Sequence, residues 1–219
     1  MKRLLFLTVI LLQFCTYENP YIARIKEEYV PLDEVGNYWI YTDRDGIEKY
    51  VEVVENTTNI EFDSREAIIL EENYSESYWF KGDSYISRYR IVEVNFNGEL
   101  YPVEQRWQNY LELPFVKGNV WEDTWSDTLL FFNEILTRTN NLKAEVENYE
   151  HIETEAGEFK NCYRIRFHTE EAIYSSIVGD TTVERTYWEW YAPGVGLVKS
   201  SDGYEIWQLT HYGKNDDGN

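Results

Sequence analysis

The chain of 219 residues carries 40 acidic against 20 basic side chains, a formal charge of −20, with 17% aromatic residues and two cysteines. That charge argues against a nucleic-acid partner, which needs a positive footprint, and two cysteines exclude a disulfide framework or a cysteine-built zinc site. The length is ample for one large core, and the ring content excludes wholesale disorder.

Met1-Lys2-Arg3 opens the chain with positive charge, and Leu4 to Leu12 is apolar except for Thr8. Nine residues make about 13.5 Å of helix, short of a bilayer core of ~30 Å. A charged start before a short apolar run predicts an export signal over residues 1–14. Cys15 follows at once and resembles the acceptor of a bacterial lipoprotein signal, whose thiol takes a diacylglyceryl group. Leu12 fits that pattern, whereas Phe14 stands where Gly, Ala or Ser is usual. Read without the resemblance, Cys15 is a small apolar residue closing the run. The expectation is an exported protein of the bacterial cell envelope, tethered to a membrane through a lipid on Cys15, with simple secretion and an uncleaved anchor or cytosolic protein as the alternatives. Residues 15–29 would then be a spacer, 30–213 one β domain, and 214–219 a disordered tail.

From Pro31 onward the pattern is that of antiparallel strands. Asp45-Gly46, Gly82-Asp83, Asn97-Gly98, Ala156-Gly157, Gly179-Asp180 and Asp202-Gly203 read as turns. The runs between them are rich in Val, Ile, Tyr, Thr and Trp. Asp43-Arg44-Asp45-Gly46-Ile47-Glu48 has the spacing of half a calcium loop, but Asp45-Gly46 already makes a hairpin turn. Tyr50–Glu55 is a strand, and Arg88–Phe96 with Glu99–Tyr101 forms the clearest hairpin. Asp127–Leu136 fits a helix capped by Asp127 and fits a strand equally well. In Lys160–His168, Tyr163, Ile165 and Phe167 alternate with Arg164, Arg166 and His168, which predicts one buried and one wet face. Roughly eleven or twelve strands exceed one small sheet. The predicted fold is therefore all-β: a strongly curved antiparallel sheet or open barrel, with a sandwich as the alternative.

Pro31-Leu32-Asp33-Glu34-Val35-Gly36-Asn37-Tyr38-Trp39 is echoed by Pro114-Phe115-Val116-Lys117-Gly118-Asn119-Val120-Trp121. Both read as a Pro-stiffened approach, a Gly-Asn turn and a strand whose first inward residue is Trp. Two similar meander halves follow as the expectation, with chance similarity as the alternative.

Three segments carry a resemblance to a family. Val35–Tyr41, Glu155–Cys162 and Trp190–Lys199 together resemble a broad set of bacterial exported proteins and lipoproteins with VGNxW, AGxFxxC and WYAPGVGLVK segments. Some of these are reminiscent of the LolA/LolB open barrels. This chain lacks the Pro usual before the second segment, having Thr154-Glu155-Ala156-Gly157. The resemblance implies an antiparallel β domain and carries no catalytic residue or cofactor.

The chemistry of the residues themselves points the same way. His151, His168 and His211 stand alone, with no H-E-x-x-H and no paired cysteine, so no metal and no cofactor is expected. No G-x-S-x-G nucleophile turn is present, and Cys162 sits inside a predicted strand. In Tyr187-Trp188-Glu189-Trp190-Tyr191 the two Trp share one face and the two Tyr the other. Trp188 and Trp190, with Trp39 and Trp121, are the candidates for lining an apolar or glycan ligand; core filler is the alternative. The leading expectation is a non-enzymatic binding or accessory module. A carrier with a curved-sheet cavity, and a carbohydrate binder or glycoside hydrolase, stand beside it.

Overall fold

The structure, a computed structural model, describes residues 28–58, 65–96, 98–131, 134–175 and 179–215. The predicted export signal and Cys15 lie outside these residues, as do Asn97 and the last four residues of the tail. Twelve strands follow one another: β1 (Asn37–Thr42), β2 (Glu48–Thr58), β3 (Glu66–Glu72), β4 (Ser75–Lys81), β5 (Tyr85–Phe96) and β6 (Glu99–Glu112), then β7 (Val120–Phe131), β8 (Glu134–Thr154), β9 (Gly157–Ser175), β10 (Thr181–Ala192), β11 (Gly196–Ser201) and β12 (Ile206–Lys214). No helix occurs among the described residues. The stretch that fitted helix and strand equally is strand, divided between β7 and β8.

All twelve strands belong to one antiparallel sheet in the order β6-β5-β4-β3-β2-β1-β12-β11-β10-β9-β8-β7. The sheet curls until it is nearly a barrel. Its seam lies between β6 and β7, which are consecutive in the chain but share no ladder. By contrast β1 and β12, at opposite ends of the chain, are paired from Asn37↔Lys214 to Thr42↔Gln208. Side chains bridge the seam: Arg106 Nη1 donates to Asp123 Oδ1 at 2.6 Å, the Asn109 amide to Asp123 Oδ2 at 3.0 Å, and Trp121 Nε1 to the Tyr110 carbonyl at 3.0 Å.

The sequence echo corresponds to a repeated piece of backbone. Gly36 N donates to Val53 O and Gly118 N to Val146 O, both at 2.8 Å. Asn37 N donates to Glu34 O, and Asn119 N to Val116 O. Gly36 and Gly118 have φ of 91° and 88°. In each copy the following Trp is buried and its indole N–H reaches a backbone carbonyl, Val195 for Trp39 and Tyr110 for Trp121. The sheet is thus two six-stranded meanders, β1–β6 and β7–β12.

Strand length shapes the barrel. On β9, Tyr163, Ile165 and Phe167 are buried while Arg164 and Arg166 turn outward to Glu145 and Glu147 of β8. That outward ladder supports one tall wall, β7–β10, and β5–β6 forms another. The strands between them, β11, β12 and β1–β4, are shorter. β4 pairs only with Ile86–Arg88 of β5, and β11 only with Trp188–Ala192 of β10. Above those points the free edges of β5 and β10 border an open mouth. At the other end, the base, the segment Glu28–Leu32 crosses beneath the interior.

Candidate functional site

The base is closed by the leading segment. Glu28 O accepts the Gly194 amide at 2.6 Å, and Lys81 Nζ binds the carboxylates of Glu28, at 2.6 Å, and of Asp33. Tyr29, Val30 and Leu32 are buried, with the Tyr29 ring against Phe115 and Tyr163. Gly196 has φ of 98°, and a Cβ there would stand 3.3 Å from Pro31 Cδ. Glycine at this position lets the segment lie against the β10–β11 turn. Trp39 Nε1 then donates to Val195 O at 2.6 Å, and Tyr41 Oη to Leu197 O at 3.0 Å. The first and third segments of the family resemblance therefore meet at one place. The second is nearby in the sheet, where the Ala156 amide donates to Leu209 O of β12.

Above this floor lies a cavity of about 270 Å³. Its apolar walls include Val30, Leu32, Trp39, Val51, Leu70, Trp79, Leu111 and Leu197. Its polar members are Tyr41, Lys49, Glu72, Ser77, Arg88, Tyr110, Glu189 and Tyr191, and most are engaged. Glu189 is buried, and its carboxyl accepts the Tyr110 phenol at 2.6 Å and the Tyr191 phenol at 2.5 Å. Burial pushes the Glu189 carboxyl up, against the downward pull of those two phenols and of Arg88 and Lys49. Burial likewise raises the phenols of Tyr110 and Tyr191, with the neighbouring Glu189 adding to it. Tyr187 is pushed up to about 12 by burial and then by Glu189. Tyr110, Phe167 and Tyr187 form a stack with centroid spacings of 5.0 and 4.9 Å. Lys49 stands 3.8 Å from Glu72 and over the rings of Tyr41 and Trp207.

Arg88 lies at the upper limit of the cavity. Its guanidinium sits 4.7 Å over the Tyr110 ring, and Nη2 donates to Gln108 Oε1 at 3.4 Å. The same residue lines a second, wider space of about 640 Å³ at the mouth, together with Arg90, Glu171, Arg185, Tyr187, Asp202 and Tyr204. Beside it the tall walls lock together. Fully buried Glu104 of β6 accepts Arg90 and Arg106 at 3.0 Å each, and Arg138 of β8 stands 3.5 Å away. Arg90 and Arg138 also bind Glu171 of β9.

Of the four candidate tryptophans, Trp39 lines the cavity and Trp121 is buried at the seam, edge-on to Phe167. Trp188 and Trp190 point the other way. Their indole N–H groups donate to Glu147 and Glu150 on the outer face, and Lys199 lies over Trp190. The structure thus brings Trp39 to the cavity without Trp188, Trp190 or Trp121. What faces it from β10 is the other side of the same pentapeptide: Glu189 and Tyr191. Period-two alternation places Glu189 with the two Tyr, so this was readable. Tyr110, Arg88 and Glu104 carry no local signal.

The remaining candidates are engaged elsewhere. Asp43 Oδ1 accepts the amides of Asp45 and Ile47, as its turn requires. Cys162 is buried, and its thiol is pushed up to about 12, chiefly by burial. His168 Nδ1 is 3.1 Å from Thr186 Oγ1, and His151 is 3.5 Å from Glu153. Among the described residues, no three His, Cys, Asp or Glu side chains are grouped to hold a metal ion. On the outer face Phe80, Tyr89 and Trp107 meet edge to face, with Arg65 over Phe80 and Trp107.

A family model described as DUF3108-like matches residues 133–205, less than half of the chain and inclusive of the second and third resemblance segments. A crystal structure described as that of "a putative lipoprotein" from Parabacteroides distasonis is similar at 16% identity. That match covers 85% of this chain and 99% of that one, with a TM-score of 0.48. No curated protein matches the chain.

Proposed function

We propose that this protein is a non-enzymatic binding module of the bacterial cell envelope, tethered through Cys15, whose barrel interior takes an apolar ligand. The observation that carries the reading is the cavity of about 270 Å³, walled by aliphatic side chains and rings within a sheet that leaves a mouth above it. Ligand sites are concave and mostly apolar, with a few placed polar groups, and this one has that make-up. A binding role is favoured over a catalytic one because both oxygens of Glu189 are taken up by phenols. A general acid or base needs to reach a substrate proton.

Native mass spectrometry of the full chain, purified from its membrane fraction, tests the interior. A co-purifying lipid-sized mass lost on mild activation is the expected result, and a bare protein mass even after incubation with lipid vesicles would overturn the reading. Growth on a palmitate analogue tests the tether separately. Label on the wild-type chain and none on Cys15→Ser is expected.

A further inference from the structure

We propose that the occupant is a single-chain amphiphile with an anionic head, a carboxylate or phosphate monoester, whose head sits on Arg88 and whose tail lies among the rings below. This deepens the reading of the cavity as an apolar-ligand site and rests on it.

The argument is one of charge placement. Four guanidinium groups face the interior of the tall walls. Arg90, Arg106 and Arg138 share Glu104, and each has a second carboxylate, Glu171 or Asp123. Arg88 makes no ion pair among the described residues; its contacts are a ring face and a long bond to a neutral amide. The carboxylates around it are committed. Glu189 is held by two phenols, with Arg88 acting on it only at longer range through its charge, Glu171 by Arg90 and Arg138, and Glu72 faces Lys49. Asp202 accepts the amides of Tyr204 and Glu205 in its own turn. Glu184 is exposed at the rim beside Arg185.

Position supplies the rest. Arg88 lines both spaces, the apolar cavity and the mouth above it. A head group bound there has its tail directed toward Trp79, Trp39 and Leu32 and its far side toward Arg185 and solvent. A half-buried guanidinium over an apolar pocket gains most from a charged partner, because charge-assisted hydrogen bonds are about twice as strong as neutral ones. The volume below suits one short chain rather than the paired chains of a phospholipid.

The test is calorimetric titration of the full chain with four probes sharing one tail: decanoate, decyl phosphate, decanol and decyltrimethylammonium. Decanoate or decyl phosphate is expected to bind roughly tenfold tighter than decanol, and Arg88→Gln to remove that preference. Which of the two anions binds better identifies the head. Equal binding of decanol and both anions, or tightest binding of the ammonium, would overturn the anionic head yet leave the apolar cavity standing. Silence from all four would overturn both. The four-probe comparison on the unaltered chain decides the matter even if Arg88→Gln fails to fold.

Discussion

At the residue scale, the fold sets the ionisation of Glu189 through burial. Its carboxyl is raised by burial, so the folded state holds the proton more tightly than the unfolded chain does. The stability this contributes is complete below the unfolded carboxylate value of about 4.3 and is lost as pH rises through the folded value. Glu189→Gln removes the titration. In urea unfolding at a series of pH values, the substituted chain is expected to gain on the wild type as pH climbs from the acid range toward neutral. Parallel curves would show that the two phenols fully compensate for desolvation. That Glu189 faces inward was legible, because alternation fixes it on the face of Tyr187 and Tyr191. Its bonding to Tyr110 was not, since β6 and β10 meet only through the curl of the whole sheet. Arg88 was less legible still. On β5 it reads as one polar residue of an alternating strand, and its lack of an ion-pair contact becomes visible only when four other strands are in place.

At the scale of elements, the seam and the interlock of the tall walls make opposite demands on charge. Asp123 is the group that joins β7 to β6, accepting Arg106 and the Asn109 amide. Asp123→Ala is expected to cost about 2–3 kcal/mol, within the range for hydrogen bonds to a charged group. It should also speed hydrogen exchange at the Asn109 amide far more than at amides of the β1–β12 ladder. Uniform protection would mean that Trp121 alone holds the seam. Glu104 is the common ion-pair partner of arginines of β5, β6 and β8, accepting hydrogen bonds from Arg90 and Arg106. Glu104→Ala leaves those cations without their shared partner, and a loss of about 3–5 kcal/mol in urea unfolding is expected. A loss below about 1 kcal/mol would indicate that Glu171 and Asp123 can take over. The strands themselves were legible in outline, because turns and two-residue alternation are local signals. The repeated Gly-Asn-x-Trp was legible for the same reason: each copy closes its own turn and sends its own indole inward. Which junction between the two meanders would be zipped and which left to side chains was not legible, for the two copies are locally alike.

At the scale of the molecule, a net charge of −20 works against compaction, while the interior ion pairs are sheltered from salt. Raising NaCl from about 50 mM to about 0.5 M is therefore expected to increase the urea midpoint. A fall would mean that exposed ion pairs such as Lys214–Glu34 matter more than self-repulsion. The path of the strands gives the molecule a polarity. β1 starts and β12 finishes at the base, where the Asn215 amide donates to Gly36 O, whereas Arg88, Arg185 and Tyr204 border the mouth at the far end. Under the tether proposed at Cys15, the opening would face away from the surface that holds the molecule. Cargo would be exchanged with the surrounding fluid or with a soluble donor, and not siphoned out of the lipid directly beneath.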